Sequence, residues 1–371
     1  VNRRTFITTT TTFSGLVALS GVPALGTRAH ADEKRFEPRP GTWRTFEVTS
    51  RAEIQWPKGV TRVWLPVPAV NDEHQQVLDN RWSGNAKIAQ LVTEPKYRSS
   101  MLYAEFPPAE QHPVVELVSR FKTQDRAVDW SRKGAPKGDP AALAFWTQPT
   151  ELLPTDGIVR DTALTITKGA SGDVDKARAI YDWVVNTTYR EPKVRGCGVG
   201  DVKTMLETKS FGGKCADLNG LFVALARAAA LPARDIYGIR VAPSAFGYKA
   251  LGANSPNITR AQHCRADVFL RDYGWVAVDP ADVAKVAREE TSEWVKMDHP
   301  VVKPVRPKLF GSWEGNWLAY NMAHDVALPN ATVKSKLAFL MYPQAETEEG
   351  RLDSLDPDNF KYTITARELR A

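Results

Sequence analysis

The sequence predicts an α+β protein in which a β-sandwich-like region precedes a core of helices and antiparallel strands. Three observations carry that expectation. From Thr45 to Trp56 apolar and polar side chains alternate, the two-residue period of a half-buried strand. Directly after Cys215, the spacing of Leu218, Leu221, Phe222, Leu225 and Ala229 marks the buried stripe of a helix. Two strand-like runs, His263–Leu270 and Trp275–Asp279, flank a short polar turn, as in a hairpin.

The amino terminus reads as an address. Arg3-Arg4-Thr5-Phe6-Ile7 resembles the twin-arginine export signal, a weakly apolar stretch runs from Phe13 to Leu25, and Ala29-His30-Ala31 offers small residues for cleavage. Residues 1–31 are therefore expected to be a signal peptide, with the mature protein periplasmic or extracellular. No other segment approaches the roughly 20 apolar residues a membrane-spanning helix needs, so no span is expected in the mature form.

Residues 32–130 predict the β-sandwich-like domain. On the first strand Phe46, Val48, Ala52, Ile54 and Trp56 face inward, interrupted only by Ser50. Pro57-Lys58-Gly59 turns the chain, and Val60–Leu65 is expected to return beside it. A further pair is expected at Met101–Phe106 and Val114–Thr123. Residues 131–157, rich in Gly, Pro, Lys and Asp, predict a linker or wrapping loop with a short helix at Ala141–Trp146.

The core is expected to occupy residues 158–330. Asp173 is a plausible cap for a helix whose Val174, Ala177, Tyr181 and Val184 share a face. Gly196-Cys197-Gly198-Val199-Gly200 lacks the preceding strand and spacing of a phosphate loop. The Cys215 helix ends at Leu231-Pro232, and strands follow at Ile236–Val241, His263–Leu270 and Trp275–Asp279. Trp313, Trp317 and Tyr320 recur at helical spacing and predict a core stripe. Residues 331–371 form a β-rich extension, with strands at Leu337–Tyr342 and Phe360–Ala366 and unspecified packing.

Composition narrows the function. The formal charge is +6, but residues 1–31 hold three of the 49 basic residues and no acid, which leaves +3 for the remainder. With no phosphate-tracking basic run, nucleic-acid binding is not expected. His299 and His324 lack partners at metal-ligand spacing, so neither a metal nor a cofactor is expected. The chain has three cysteines, too few for a disulfide scaffold. A Cys197–Cys264 disulfide stays open, with separate thiols favoured; Cys264 alternates away from His263 along its strand.

Cys215 follows Gly212-Gly213-Lys214 at a helix amino terminus, where the macrodipole and the Lys214 cation favour thiolate. Its N–H is placed to help bind an oxyanion. Asp217 opposes thiolate formation if it points at the sulfur. Taken singly, a cysteine is more often an inert core residue, a histidine a structural one, and an aspartate before proline a turn former. Together, His263 and Asp279 lie at the open end of one hairpin. Their side chains share a face only if paired residues have an even index sum. Pairing Leu270 with Gly274 sets Asp279 opposite Arg265, one diagonal step from His263, and requires a three-residue loop at Arg271–Tyr273 or a bulge with the same effect.

The stretch from about Ala177 to Asp282 resembles the transglutaminase-like superfamily, a branch of the papain-like thiol enzymes. The matching pieces are Gly213-Lys214-Cys215, Leu221–Ala228 with Leu231-Pro232-Ala233-Arg234, His263–Leu270 and Tyr273–Pro280. The resemblance implies that the Cys215 helix packs on an antiparallel sheet. It also implies Cys215 as nucleophile, His263 as general base and then acid, and Asp279 as its orienter. Tyr189 is the candidate to complete the oxyanion site, against a packing role. Cys264-Arg265 departs from the Ala-Trp often found after this histidine, which leaves the groove and its substrate open. The implied reaction is acyl transfer from an amide of a peptide, protein or cell-wall peptide. Hydrolysis by a cysteine protease or amidase is favoured over cross-linking to an amine; a non-catalytic binding or assembly module is the remaining alternative.

Overall fold

A computed structural model describes residues 34–135 and 137–369. The expected signal peptide lies outside the described residues. In chain order the first strands are β1 (Arg44–Glu53), β2 (Thr61–Val67), β3 (Gln75–Gly84), β4 (Ile88–Thr93), β5 (Ser100–Phe106) and β6 (Val114–Thr123). Helices α1 (Pro140–Phe145), α2 (Gly157–Ile166), α3 (Asp173–Thr187), α4 (Val202–Thr208) and α5 (Cys215–Ala228) follow. Then come β7 (Ala233–Arg240), β8 (Gln262–Leu270), β9 (Gly274–Val278), α6 (Pro280–Glu289), β10 (Trp317–Asn321), β11 (Gln344–Thr347) and β12 (Lys361–Leu369).

Two antiparallel sheets make the sandwich. One has the order β12-β1-β6-β3; the other places β11, β2, β5 and β4 side by side. Ala52, Leu65, Leu102, Phe106, Leu117 and Ala345 fill the space between them, as inner faces of stacked sheets do. The expected hairpins are corrected here. β1 and β2 lie in different sheets, as do β5 and β6, so each of those connections crosses the sandwich. Alternation reveals which face of a strand is buried but carries no information about its neighbour. Trp56 also departs from expectation: β1 ends at Glu53 and the indole is 66% exposed. On the other face of β1, Glu47 is buried against Arg120, Arg81 and Arg367 at 2.6 to 2.9 Å.

The third sheet, ordered β9-β8-β7-β10, carries the α+β core. Helix α5 is buried along nearly its whole length, from Cys215 to Arg227, rather than on a stripe. Helices α2 and α3 cover one side of it and β8 the other, so no face is left for water. The expected tryptophan stripe is a pair of strand segments, Ser312–Trp313 and β10; Trp313, Trp317 and Tyr320 are buried. Strand β10 pairs with β7, and spacing alone could not separate this from a helix turn.

The tail is structural cement. β12 pairs with β1 along nine residues, Thr45↔Leu369 to Glu53↔Lys361, and β11 pairs with β2. Ile364 and Ala366 of β12 pack with Val48 of β1, Ile239 of β7 and Leu318 of β10 in one core. Residues from Lys34 onward thus form one compact unit, with buried contacts running across positions 130 and 330.

Candidate active site

Cys215 owes its place to the turn that precedes α5. Lys214 is the N-cap residue, in extended conformation. The Asp217 carboxylate reaches back to accept from the Lys214 N–H at 2.9 Å, and from the Val199 and Gly200 N–H groups at 3.0 and 2.9 Å. Asp217 is therefore engaged by three backbone donors, while its charge and that of a Cys215 thiolate still oppose one another. The glycine-rich stretch has a packing reason: a Cβ on Gly198 (φ +91°) would lie 1.8 Å from the Asp217 carboxylate. With that approach made, the Cys197 carbonyl accepts from the Ala216 N–H at 2.9 Å, and Cys197 comes beside Cys215. As the first helical residue, Cys215 has an N–H without an acceptor inside its helix.

His263 and Asp279 are placed by the β8–β9 hairpin. The pairing runs from Leu270↔Gly274 to Ala266↔Val278, the even-sum register, with Arg271–Tyr273 as the loop. Gly274 has φ +72°, the left-handed residue that closes such three-residue hairpins. His263 Nε2 lies 2.8 Å from Asp279 Oδ2, which leaves Nδ1 for the sulfur. Asp279 is also the N-cap of α6. Its Oδ1 accepts from the Asp282 N–H at 3.0 Å and from Asn219 Nδ2 at 3.2 Å. Trp317 Nε1 donates to the His263 carbonyl at 2.8 Å. Gly238, opposite His263, makes room for that indole, because a Cβ there would lie 2.5 Å from the Trp317 ring.

A second carboxylate completes the surroundings. Asp282 Oδ1 lies 3.3 Å from His263 Nε2 and is hydrogen-bonded to the buried Arg240 guanidinium. Burial disfavours the Asp282 charge, yet Arg240, His263 and Arg265 hold this carboxyl below its ordinary value. Burial and the Asp282 charge push Asp279 up. For His263, burial and Arg240 oppose the proton, but Asp282 and Asp279 outweigh them and raise the imidazole. At the sulfur, the Cys197 and Cys264 thiols outweigh burial, with His263 adding to them, and hold Cys215 well below the usual thiol value. The other two thiols are pushed up. Imidazolium and thiolate are thus favoured as a pair.

All three cysteines are free and buried. Cys264 alternates away from His263 along its strand, onto the face that α5 covers, and there it packs beside Cys215. His263, Asp279 and Asp282 present ligand atoms within 4.8 Å of one another, enough in number for a metal ion. Arg240 on Asp282 and Arg265, 3.7 Å from Asp279, already supply the positive charge such an ion would bring.

Cys215 and His263 open onto a cavity of about 660 Å³. Its walls include Cys197, Gln262 and Arg240, together with Tyr342, Phe360 and Tyr362 from the tail. Tyr189 is not among them. It is 37% exposed, its ring sits over Gly212 and against Trp294 at 5.3 Å, and its neighbour Arg190 lines the cavity instead. Sequence reasoning missed Asp282, Asn219, Arg240 and Tyr342. The first two had a signal: Asp282 stands three residues after a capping aspartate, and Asn219 one helical turn after Cys215. Tyr342 had none, since its segment reaches the cavity only through the pairing of the tail.

The profile of the transglutaminase-like superfamily core matches residues 160–280, the stretch from α2 to the start of α6. A relative from Haemophilus influenzae, described as an uncharacterized protein, is 34% identical over 374 residues and covers 95% of this chain and 99% of its own. A candidate cysteine protease from Cytophaga hutchinsonii is a solved structure with TM-score 0.49 and 15% identity, covering 88% of this chain and 99% of that one. The periplasmic domain of TgpA from Pseudomonas aeruginosa has TM-score 0.34 and 16% identity, covering 67% of this chain and 91% of that one. The chain belongs to the transglutaminase-like superfamily. That membership supports thiol-dependent catalysis in general.

Proposed function

We propose that this protein is a cysteine hydrolase of amide bonds, a protease or amidase, acting after export through the twin-arginine route. The observation that carries the reading is the sharing of one cavity by Cys215 and His263, with His263 Nε2 held 2.8 Å from Asp279. The Cys215 thiolate attacks the substrate carbonyl carbon, forming a C–S bond while the Cys215 N–H faces the developing oxyanion. His263, protonated in the resting pair, gives its proton to the amide nitrogen as the C–N bond breaks and the amine leaves. Water then attacks the thioester, His263 takes its proton, and the carboxylic acid departs as the sulfur regains the electron pair. Asp279 orients the ring throughout and keeps the imidazolium favourable. Hydrolysis is preferred over cross-linking because the cavity is open to water, the nucleophile in greatest supply.

The test is turnover of peptide amides by the wild type, Cys215→Ala and Asp279→Asn, with a primary amine as competing acceptor. Hydrolysis by the wild type and its loss in Cys215→Ala support the proposal. Amine incorporation with ammonia release transfers it to cross-linking. Binding without turnover, equal in wild type and Cys215→Ala, leaves a non-catalytic module.

A further inference from the structure

Among the described residues, seven lysines and arginines line the Cys215–His263 cavity and no aspartate or glutamate does. This asymmetry is local, for the whole chain has 49 basic against 43 acidic residues. Several of these cations are already answered from behind the wall. Arg240 is paired with Asp282, Arg190 lies 2.5 Å from Glu289, Arg195 2.6 Å from Asp353, and Lys361 3.1 Å from Glu53. Three are not. Lys214 and Arg260 have no carboxylate within 4 Å among the described residues, and Lys285 reaches Glu289 only at 4.0 Å.

The three stand on separate elements: the residue before Cys215, the segment leading into β8, and the middle of α6. They share only the cavity. Burial and the neighbouring Arg240 push Lys285 down to about 8 against the pull of Asp282 and Glu289, so a further anion in the cavity would favour its charged form. A concave wall of one sign concentrates ligands of the opposite sign.

Resting on the amide-hydrolase reading above, we infer that the substrate is an acidic peptide, with carboxylates flanking the bond that Cys215 attacks. A peptide is favoured over an anionic glycan or polyphosphate because the nucleophile between these cations needs an amide carbonyl to attack.

The experiment has two arms on the full chain. In the first, paired quenched peptides differ only in Glu or Gln beside the scissile bond. The expected kcat/KM favours the Glu peptide by about tenfold at low salt and the preference shrinks as salt rises. In Arg260→Gln with Lys285→Gln, the preference is expected to fall to about twofold or less. Equal or better cleavage of the Gln peptide overturns the proposal, as does protection of Cys215 by an anionic glycan but not by the Glu peptide.

The second arm needs no turnover. Cys215 is alkylated by anionic iodoacetate and by neutral iodoacetamide, and the labelled residue is identified by mass spectrometry. The iodoacetate-to-iodoacetamide rate ratio at Cys215 is expected to exceed that of a free thiol by about tenfold and to fall in the double variant. Fast alkylation by both reagents with a free-thiol ratio overturns the acidic preference while the thiol reading stands. Slow alkylation by both removes the thiol reading, and the proposal with it.

Discussion

Two buried histidines divide this molecule instructively. His263 and His324 are each almost fully enclosed and each faces an aspartate, yet they settle in opposite states. His263 has Asp279 at 2.8 Å and Asp282 at 3.3 Å and is raised against the pull of burial. His324 has Asp235 only at 3.9 Å, and its Nε2 has no hydrogen-bond partner among the described residues. Burial, then Arg227 and Lys96, drive it well below the ordinary value. Asp235 itself is pushed up to about 7 by burial, against the pull of Arg227. Residue types alone do not make an imidazolium. An ångström of separation and the sign of the nearest neighbours decide it, because direct hydrogen bonding and short-range Coulomb attraction are the only terms able to repay desolvation.

The largest contrast is expected from removing each ring. His263→Ala should lower peptide hydrolysis by about a thousandfold or more, whereas His324→Ala should change kcat by no more than a few fold while lowering the melting temperature. Equal kinetic losses would erase the distinction. Next comes the orienting carboxylate: Asp279→Asn should cost roughly a hundred- to ten-thousandfold in kcat, with a much smaller change in KM. Asp282→Asn, whose carboxylate neighbours the ring at longer range, should cost nearer tenfold.

The pH response separates the two centres further. Cys215 lies well below the usual thiol value, so its alkylation should stay fast through neutral pH and decline only as acid protonates the sulfur. A profile rising only near pH 8.5 would remove the ion pair. Asp235 supplies the opposite kind of signature. Its raised folded value makes the native state hold a proton that the unfolded chain releases, so stability falls as pH rises from about 4 to about 7 and the full penalty persists above. Asp235→Asn should therefore stabilise the protein on the order of 3 kcal/mol more at pH 8 than at pH 4, read from unfolding midpoints at each pH. The smallest effect concerns the far side of His263: Trp317→Phe, which deletes the donor to its carbonyl, should cost about 1 kcal/mol in activation or stability.

Much of the site was legible before any fold was known. The even-sum register of the hairpin follows from two short strands, a three-residue loop and the glycine at 274, all local features, and it put Asp279 on the face of His263. The start of α5 at Cys215 was equally local, since a helix announces itself through its own periodicity. What escaped was the support: Arg240 opposite Asp282, the Cys197 and Cys264 thiols beside the sulfur, Trp317 behind the histidine. Each comes from a segment whose own pattern is indifferent to the site. Cys264 is the clearest example, because alternation along β8 describes one strand's faces and says nothing of the helix laid against it.

The sequence by itself determined the α+β class, the identity of the helix and hairpin that carry Cys215, His263 and Asp279, and their relative phase. Those features depend on residues within a few positions of one another, where backbone geometry has only a few allowed answers. Tertiary structure decided the rest: that β1 and β2 part to opposite sheets, that the tail returns to close both, and that cations from three separate elements meet around one thiol. Such outcomes are settled by which buried surfaces find each other across hundreds of residues, and no local period encodes that choice.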